Sequence, residues 1–189
     1  MSTSTMGIDC AAGPRVLIAC IGNIFLGDDG FGVEVARRLA GRVLPQDVRV
    51  VDFGIRGLDL VFALLDAVYE CVILVDAVPR GEPPGTLYVI EPEWDASAPA
   101  GSEPGPGAAS LLPLETHALD PARVLRTVAA LGGRPGRIVL VGCEPTPVDP
   151  DADPVMELSA PVRAAAGEAA ALVEALVEEI CSSSGEPRA

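Results

Sequence analysis

The sequence predicts an α/β protein built on a five-stranded, mostly parallel sheet with one antiparallel strand. Three observations lead there. Short apolar, β-branched runs alternate with amphipathic stretches over the first half of the chain. The first run reads as a buried strand and the third is apolar, which suits strands inside a covered sheet. One link, between the third and fourth runs, is too short for a crossover helix.

The elements follow in order. Residues 15–21 read as a buried strand that stops at Gly22. Residues 30–43 space Phe31, Val35 and Leu39 as one helix face. Residues 48–53 form a second strand ended by Gly54, and residues 57–69 a second amphipathic helix. Residues 71–75 are a third strand that ends at Asp76. Strand–helix–strand units of this kind close through right-handed crossovers into a parallel sheet. The Pro- and Gly-rich link 78–84 forces the next strand, 86–90, to run antiparallel at a sheet edge.

The second half is less regular. Residues 94–113 are rich in Pro, Gly, Ala and Ser and read as a long loop. Asp120 and Pro121 make a helix start that runs to about Leu131, before Gly132 and Gly133. Residues 138–143 are the fifth strand, and 144–157 a second irregular loop. Ser159 then caps a long Ala-rich helix with Pro161 near its start. The domain reading is a disordered extension over 1–14, a single domain over 15–182 and a frayed tail over 183–189.

Composition narrows the function. The formal charge is −14, from 13 Lys and Arg against 27 Asp and Glu, so the surface repels phosphate backbones and anionic membranes. No apolar run is long enough to span a bilayer, and no basic segment precedes the first one. The five cysteines, Cys10, Cys20, Cys71, Cys143 and Cys181, include no C-x-x-C pair, and three lie in apolar runs. That pattern fits a reduced, cytoplasmic protein rather than a disulfide or structural zinc scaffold.

In an open α/β sheet the site lies beyond the carboxyl ends of the strands. Asp28 and Asp29 follow the first strand there, Asp76 ends the third, and His117, the single histidine, precedes the fourth-region helix. Two carboxylates and an imidazole from distant parts of the chain make a sparse N/O site suited to a borderline divalent ion such as nickel or zinc, with positions left for other donors. The turn Gly22–Asp29 has P-loop glycine spacing, but Asp28 and Asp29 stand where Lys and Ser/Thr would cradle phosphate. Asp52-Phe53-Gly54 spells a kinase tripeptide without the other kinase loops, and neither H-E-x-x-H nor G-x-S-x-G occurs. Each candidate also has a plainer role. Asp28 and Asp29 would complement the following helix, Asp76 would serve an Asx turn, and His117 would be an exposed polar residue. Asp52 and Gly54 would only shape a loop beside the site, where Gly54 lets a substrate backbone approach. Cys71 and Cys143 read as core.

Taken together, the motifs resemble one family. VLIACIGNIFLGDDGFG over 16–32 is similar to the opening strand and Gly-Asn-to-acidic-pair signature of the NiFe-hydrogenase maturation proteases. DFGIRGLDL at 52–60, LVDAVPRGEPPGT at 74–86, Thr116-His117 before ALDPARVL, VLVGCEP at 139–145 and Leu158-Ser159 resemble its later segments in the same order. The match runs from about Arg15 to Ile180. Two segments match nothing in the family, the N-terminal extension and the loop 94–113, and Asp29 stands where relatives often carry Glu.

The resemblance implies a twisted five-stranded sheet in a three-layer α/β/α arrangement. It implies metal ligation by Asp29, Asp76 and His117, with Asp29 and Asp76 as the catalytic carboxylates. Asp28 matches the acidic neighbour, and Gly22, Asn23, Asp28, Asp52 and Gly54 shape the site. The implied reaction is removal of the C-terminal extension of a hydrogenase large-subunit precursor after nickel insertion. Nickel is then supplied by the substrate, and no organic cofactor is needed. The partner is the nickel-loaded precursor, with no nucleic acid and no membrane, and the protease is expected to be a cytoplasmic monomer. Specificity is expected in the variable loops, including residues 100–113. Two alternatives stand beside this reading: a thiol hydrolase using Cys143 and His117, and a non-enzymatic nickel-binding or chaperone-like module of hydrogenase assembly.

Overall fold

A computed structural model describes residues 15–92, 121–147 and 155–183. The strands are β1 (Val16–Ile21), β2 (Val48–Gly54), β3 (Cys71–Ala77), β4 (Leu87–Ile90) and β5 (Arg137–Cys143). The helices are α1 (Phe31–Leu39), α2 (Gly57–Asp66), α3 (Pro121–Ala130) and α4 (Ala160–Ser183), and a single 3₁₀ turn, Gly27–Gly30, precedes α1.

The strands form one sheet in the order β2-β1-β3-β5-β4. β1 pairs in parallel with β2 and β3, and β3 with β5, while β4 runs antiparallel to β5 at the edge. The edge position and direction of β4 are those that the short link 78–84 demands.

Why β1 reads as an unbroken apolar run is visible in its packing. Val16, Ile18 and Cys20 point into one core with α1 and α4, while Leu17, Ala19 and Ile21 point into a second core with α2 and α3. A strand covered on both faces has no polar side to alternate with. The sheet is therefore the middle of three layers. On α4, Ala165, Ala166, Ala169, Ala170, Val173 and Val177 lie on the buried face, and their small size lets a 24-residue helix lie close to the strands.

Gly32 fixes how α1 sits on the sheet. A Cβ there would lie 2.1 Å from the carbonyl oxygen of Ile21 and 2.5 Å from that of Val75, so the helix approaches the ends of β1 and β3 as only glycine allows.

Two helices are shorter than their patterns predict. α1 begins after the 3₁₀ turn and ends at Leu39, just before Gly41 and Pro45. α2 ends at Asp66 because Ala67 is extended, with φ −134° and ψ 143°, which turns Tyr69 into the core beneath. Among the described residues no helix is long and apolar enough to cross a membrane. The readings on 1–14, 94–113, Asp120 and 184–189 lie outside the described residues, as do residues 148–154 of the loop 144–157.

Candidate active site

β1 and β3 are neighbours in parallel register, Cys20 opposite Val75, so the residues after them leave the same edge of the sheet side by side. The 3₁₀ turn that carries Asp28 and Asp29 packs against β3. Asp29 and Asp76, 47 positions apart in sequence, are thereby gathered at one sheet edge. His117 lies outside the described residues, and among the described residues no group of three His, Cys, Asp or Glu side chains is placed to hold a metal.

Asp29 is held from the strand end. The N–H of Asn23 donates to its Oδ2 at 3.0 Å and to its carbonyl oxygen at 3.1 Å. The Asn23 side chain accepts from the Phe25 N–H at 3.0 Å, an Asx turn that bends the loop toward the 3₁₀ segment. Burial raises the Asp29 carboxyl above its ordinary value, and the Asn23 bond offsets only part of that rise.

Gly22 makes this closure possible. Its φ is +151°, and a Cβ there would stand 2.1 Å from the Asp29 carbonyl oxygen. Its N–H donates to the Gly54 carbonyl at 3.1 Å, which ties the end of β1 to the end of β2. β2 carries a bulge there, with Cys20 opposite Asp52 but Ile21 opposite Gly54. Asp52 is exposed and lies beside Gly54, at the flank of the site.

Asp76 is buried at the end of β3, and its Oδ1 accepts from the Ala77 N–H at 2.8 Å.

Asp28 does not cap α1, since neither the 3₁₀ turn nor α1 has a side-chain cap bond. It is buried and reaches across the molecule. Its Oδ2 accepts from the Thr146 N–H at 2.9 Å and the Ser159 hydroxyl at 2.9 Å, and its Oδ1 accepts from the Ser159 N–H at 2.6 Å. Burial alone would raise its pKa, but the Thr146 and Ser159 bonds outweigh that and hold the carboxyl below its ordinary value. Ser159, read from sequence as a helix cap, directly precedes α4, its carbonyl accepts from the Arg163 N–H at 2.9 Å, and its hydroxyl also donates to Asp28.

Sequence reasoning passed over a further buried carboxylate, Glu144, at the end of β5. An acidic residue after an apolar strand looks like a loop residue, and no local signal marks the amides it binds.

Cys143 is fully buried in the first core, and burial first, then the nearby Asp28 and Glu144, push its thiol up to about 12. Its S–H faces the Glu144 carbonyl at 3.7 Å.

An α/β sheet with two carboxylates at its carboxyl edge, one on a Gly-rich turn and one at a strand end, offers groups that can exchange a proton or contribute to binding a cation. Comparison with known proteins gives the family. The family model described as hydrogenase maturation protease matches residues 33–100. The hydrogenase expression/formation protein HupD of Rhodobacter capsulatus is 37% identical over 136 residues, 71% of this chain and 59% of that protein. HupM of Azotobacter chroococcum is 34% identical over 167 residues, 88% of this chain and 73% of that protein. The hydrogenase maturating endopeptidase HybD from E. coli superposes with a TM-score of 0.64 at 26% identity, covering 87% of this chain and 93% of that one. The chain belongs to the hydrogenase maturation proteases, a family of peptidases whose α/β fold it shares.

Proposed function

We propose that this protein is an endopeptidase that removes the C-terminal extension of a NiFe-hydrogenase large-subunit precursor once nickel has been inserted. The observation that carries the reading is the convergence of Asp29 and Asp76 at one sheet edge in a chain of this family. In this reading the nickel arrives with the substrate and is read by Asp29, Asp76 and His117. Carboxylates and a neutral imidazole suit such an ion and leave positions for the substrate's own ligands. The scissile peptide then lies beside the acidic pair. Either the metal polarises its carbonyl or a carboxylate activates water.

The surroundings support a protein substrate. Phe25, Leu26, Ile55 and Met156 expose large apolar side chains on the loops around Asp29, more than a small-molecule site requires. An open cleft beside the 3₁₀ turn joins apolar Ile24, Met156 and Leu158 with charged Glu34, Arg37, Glu157 and Arg163. The reading places the protein in the cytoplasm, acting as a monomer.

The thiol-hydrolase alternative loses support, because a fully buried thiol pushed up to about 12 is neither accessible nor ionised at neutral pH. The binding-module alternative is separated by experiment. Purified protein is mixed with nickel-loaded and nickel-free precursor, and the products are weighed by mass spectrometry. Loss of a C-terminal peptide from the loaded form alone supports the proposal. A stable complex with no change in precursor mass favours the binding module.

A further inference from the structure

Glu144 lies buried under the link between β3 and β4, the link that begins where Asp76 leaves the sheet. Its Oε2 accepts from the Arg80 N–H at 2.7 Å and from the Tyr88 hydroxyl at 2.5 Å, and its Oε1 accepts from the Gly81 N–H at 3.0 Å. Its own backbone holds the far end of the same link, donating to the Thr86 carbonyl and accepting from the Gly85 N–H, both at 2.8 Å. The residues so held, 80–82, are exposed, so a buried carboxylate beneath them does what apolar packing does elsewhere. The carboxyl stays below its ordinary value although burial opposes this, because the Tyr88 hydroxyl and the backbone amides of residues 80–82 all donate to it.

Two residues further on, the Thr146 N–H donates to Asp28, the neighbour of Asp29. The short segment 144–146 therefore grips the link after Asp76 with one residue and the turn carrying Asp29 with another.

We infer that Glu144 is a positioning residue that fixes the spacing of the Asp76 and Asp29 loops and so sets the geometry of the reacting pair. This rests on the reading that Asp29 and Asp76 act on the precursor. Glu144 sits on the far side of the link from bulk solvent, so its loss disturbs geometry at the acidic pair rather than contact with the substrate. A residue that only stabilised the fold would change the amount of active protein and not the turnover of each folded molecule.

The test is cleavage of full-length nickel-loaded precursor by wild type, Glu144→Gln and Tyr88→Phe, followed by mass spectrometry over time. Folding of each variant is verified by circular dichroism. Glu144→Gln keeps the side-chain shape but turns a donor toward backbone N–H groups. It is expected to lower kcat by about tenfold to a hundredfold with KM within about twofold. Tyr88→Phe removes one donor and leaves the carboxylate in place, so it remains informative if Glu144→Gln does not fold; it is expected to lower kcat about threefold. Wild-type kcat in folded Glu144→Gln, or in Tyr88→Phe, overturns the inference while leaving the protease reading intact. If wild type leaves the loaded precursor whole, the protease reading fails and the inference falls with it.

Discussion

The N–H of Asn23 donates to both the Oδ2 and the carbonyl oxygen of Asp29, at 3.0 and 3.1 Å, so one amide at the end of β1 fixes both the side chain and the backbone of the acidic residue six positions on. That bifurcated hydrogen bond requires the chain to fold back sharply at Gly22, where a side chain would meet the Asp29 carbonyl. Gly22→Ala should therefore destabilise the protein by more than about 1 kcal/mol, since alanine pays for the positive φ and also clashes. Urea unfolding of the two proteins, compared at equal slope, measures it.

Asp28 carries an acid-dependent share of the stability. Its folded pKa lies below the ordinary 3.8, so its contribution is complete above the unfolded value and is lost as pH falls through the folded one. Asp28→Ala leaves the Thr146 and Ser159 amides without their acceptor and should cost about 1–3 kcal/mol at pH 7. Unfolding followed from pH 7 down to pH 2 should show a difference from wild type that shrinks only at the acid end.

For Asp29 the sign is reversed. Burial raises its folded pKa, so the folded state binds the proton more readily than the unfolded chain. Its contribution is favourable at low pH and is lost as pH rises through the folded value, which makes the ionised group a cost at neutral pH. Asp29→Asn keeps an acceptor for the Asn23 amide and should unfold at a higher urea midpoint at pH 7 while losing cleavage. The acid limb of kcat/KM in wild type should lie above 3.8.

The buried thiols should be inert. Burial pushes Cys20 and Cys143 up to about 12 and Cys71 to about 11. Iodoacetamide applied to the native protein should leave all three unmodified by peptide mass, with labelling appearing only in denaturant, and Cys143→Ala should retain cleavage of the precursor.

The sheet was legible because its inner strands carry a strong local signal. β1 and β3 are apolar at nearly every position, and the link 78–84 is too short to return a strand in parallel. The shared location of Asp29 and Asp76 was legible because one lies on the turn after β1 and the other at the end of β3, both on the carboxyl edge. The partnerships that fix the site were not. Asp28 meets Thr146 and Ser159 across 118 and 131 positions, and Glu144 meets Arg80 and Gly81 across 64 and 63. Such pairs leave no periodicity in the chain and exist only after the sheet has brought the loops together. Ser159 reads locally as a cap from its place before Ala-Pro, but the hydrogen bond its hydroxyl donates to Asp28 leaves no local signal.

The central claim concerns the carboxylates at the sheet edge, and Asp76→Asn tests it most directly. Asparagine can keep the bond that Asp76 accepts from the Ala77 N–H, so the fold should persist. Wild type and Asp76→Asn would be incubated with nickel-loaded precursor and the large-subunit mass recorded over time. The account predicts loss of the C-terminal peptide with wild type and an unchanged precursor mass with the folded variant. Cleavage by Asp76→Asn at the wild-type rate would contradict it.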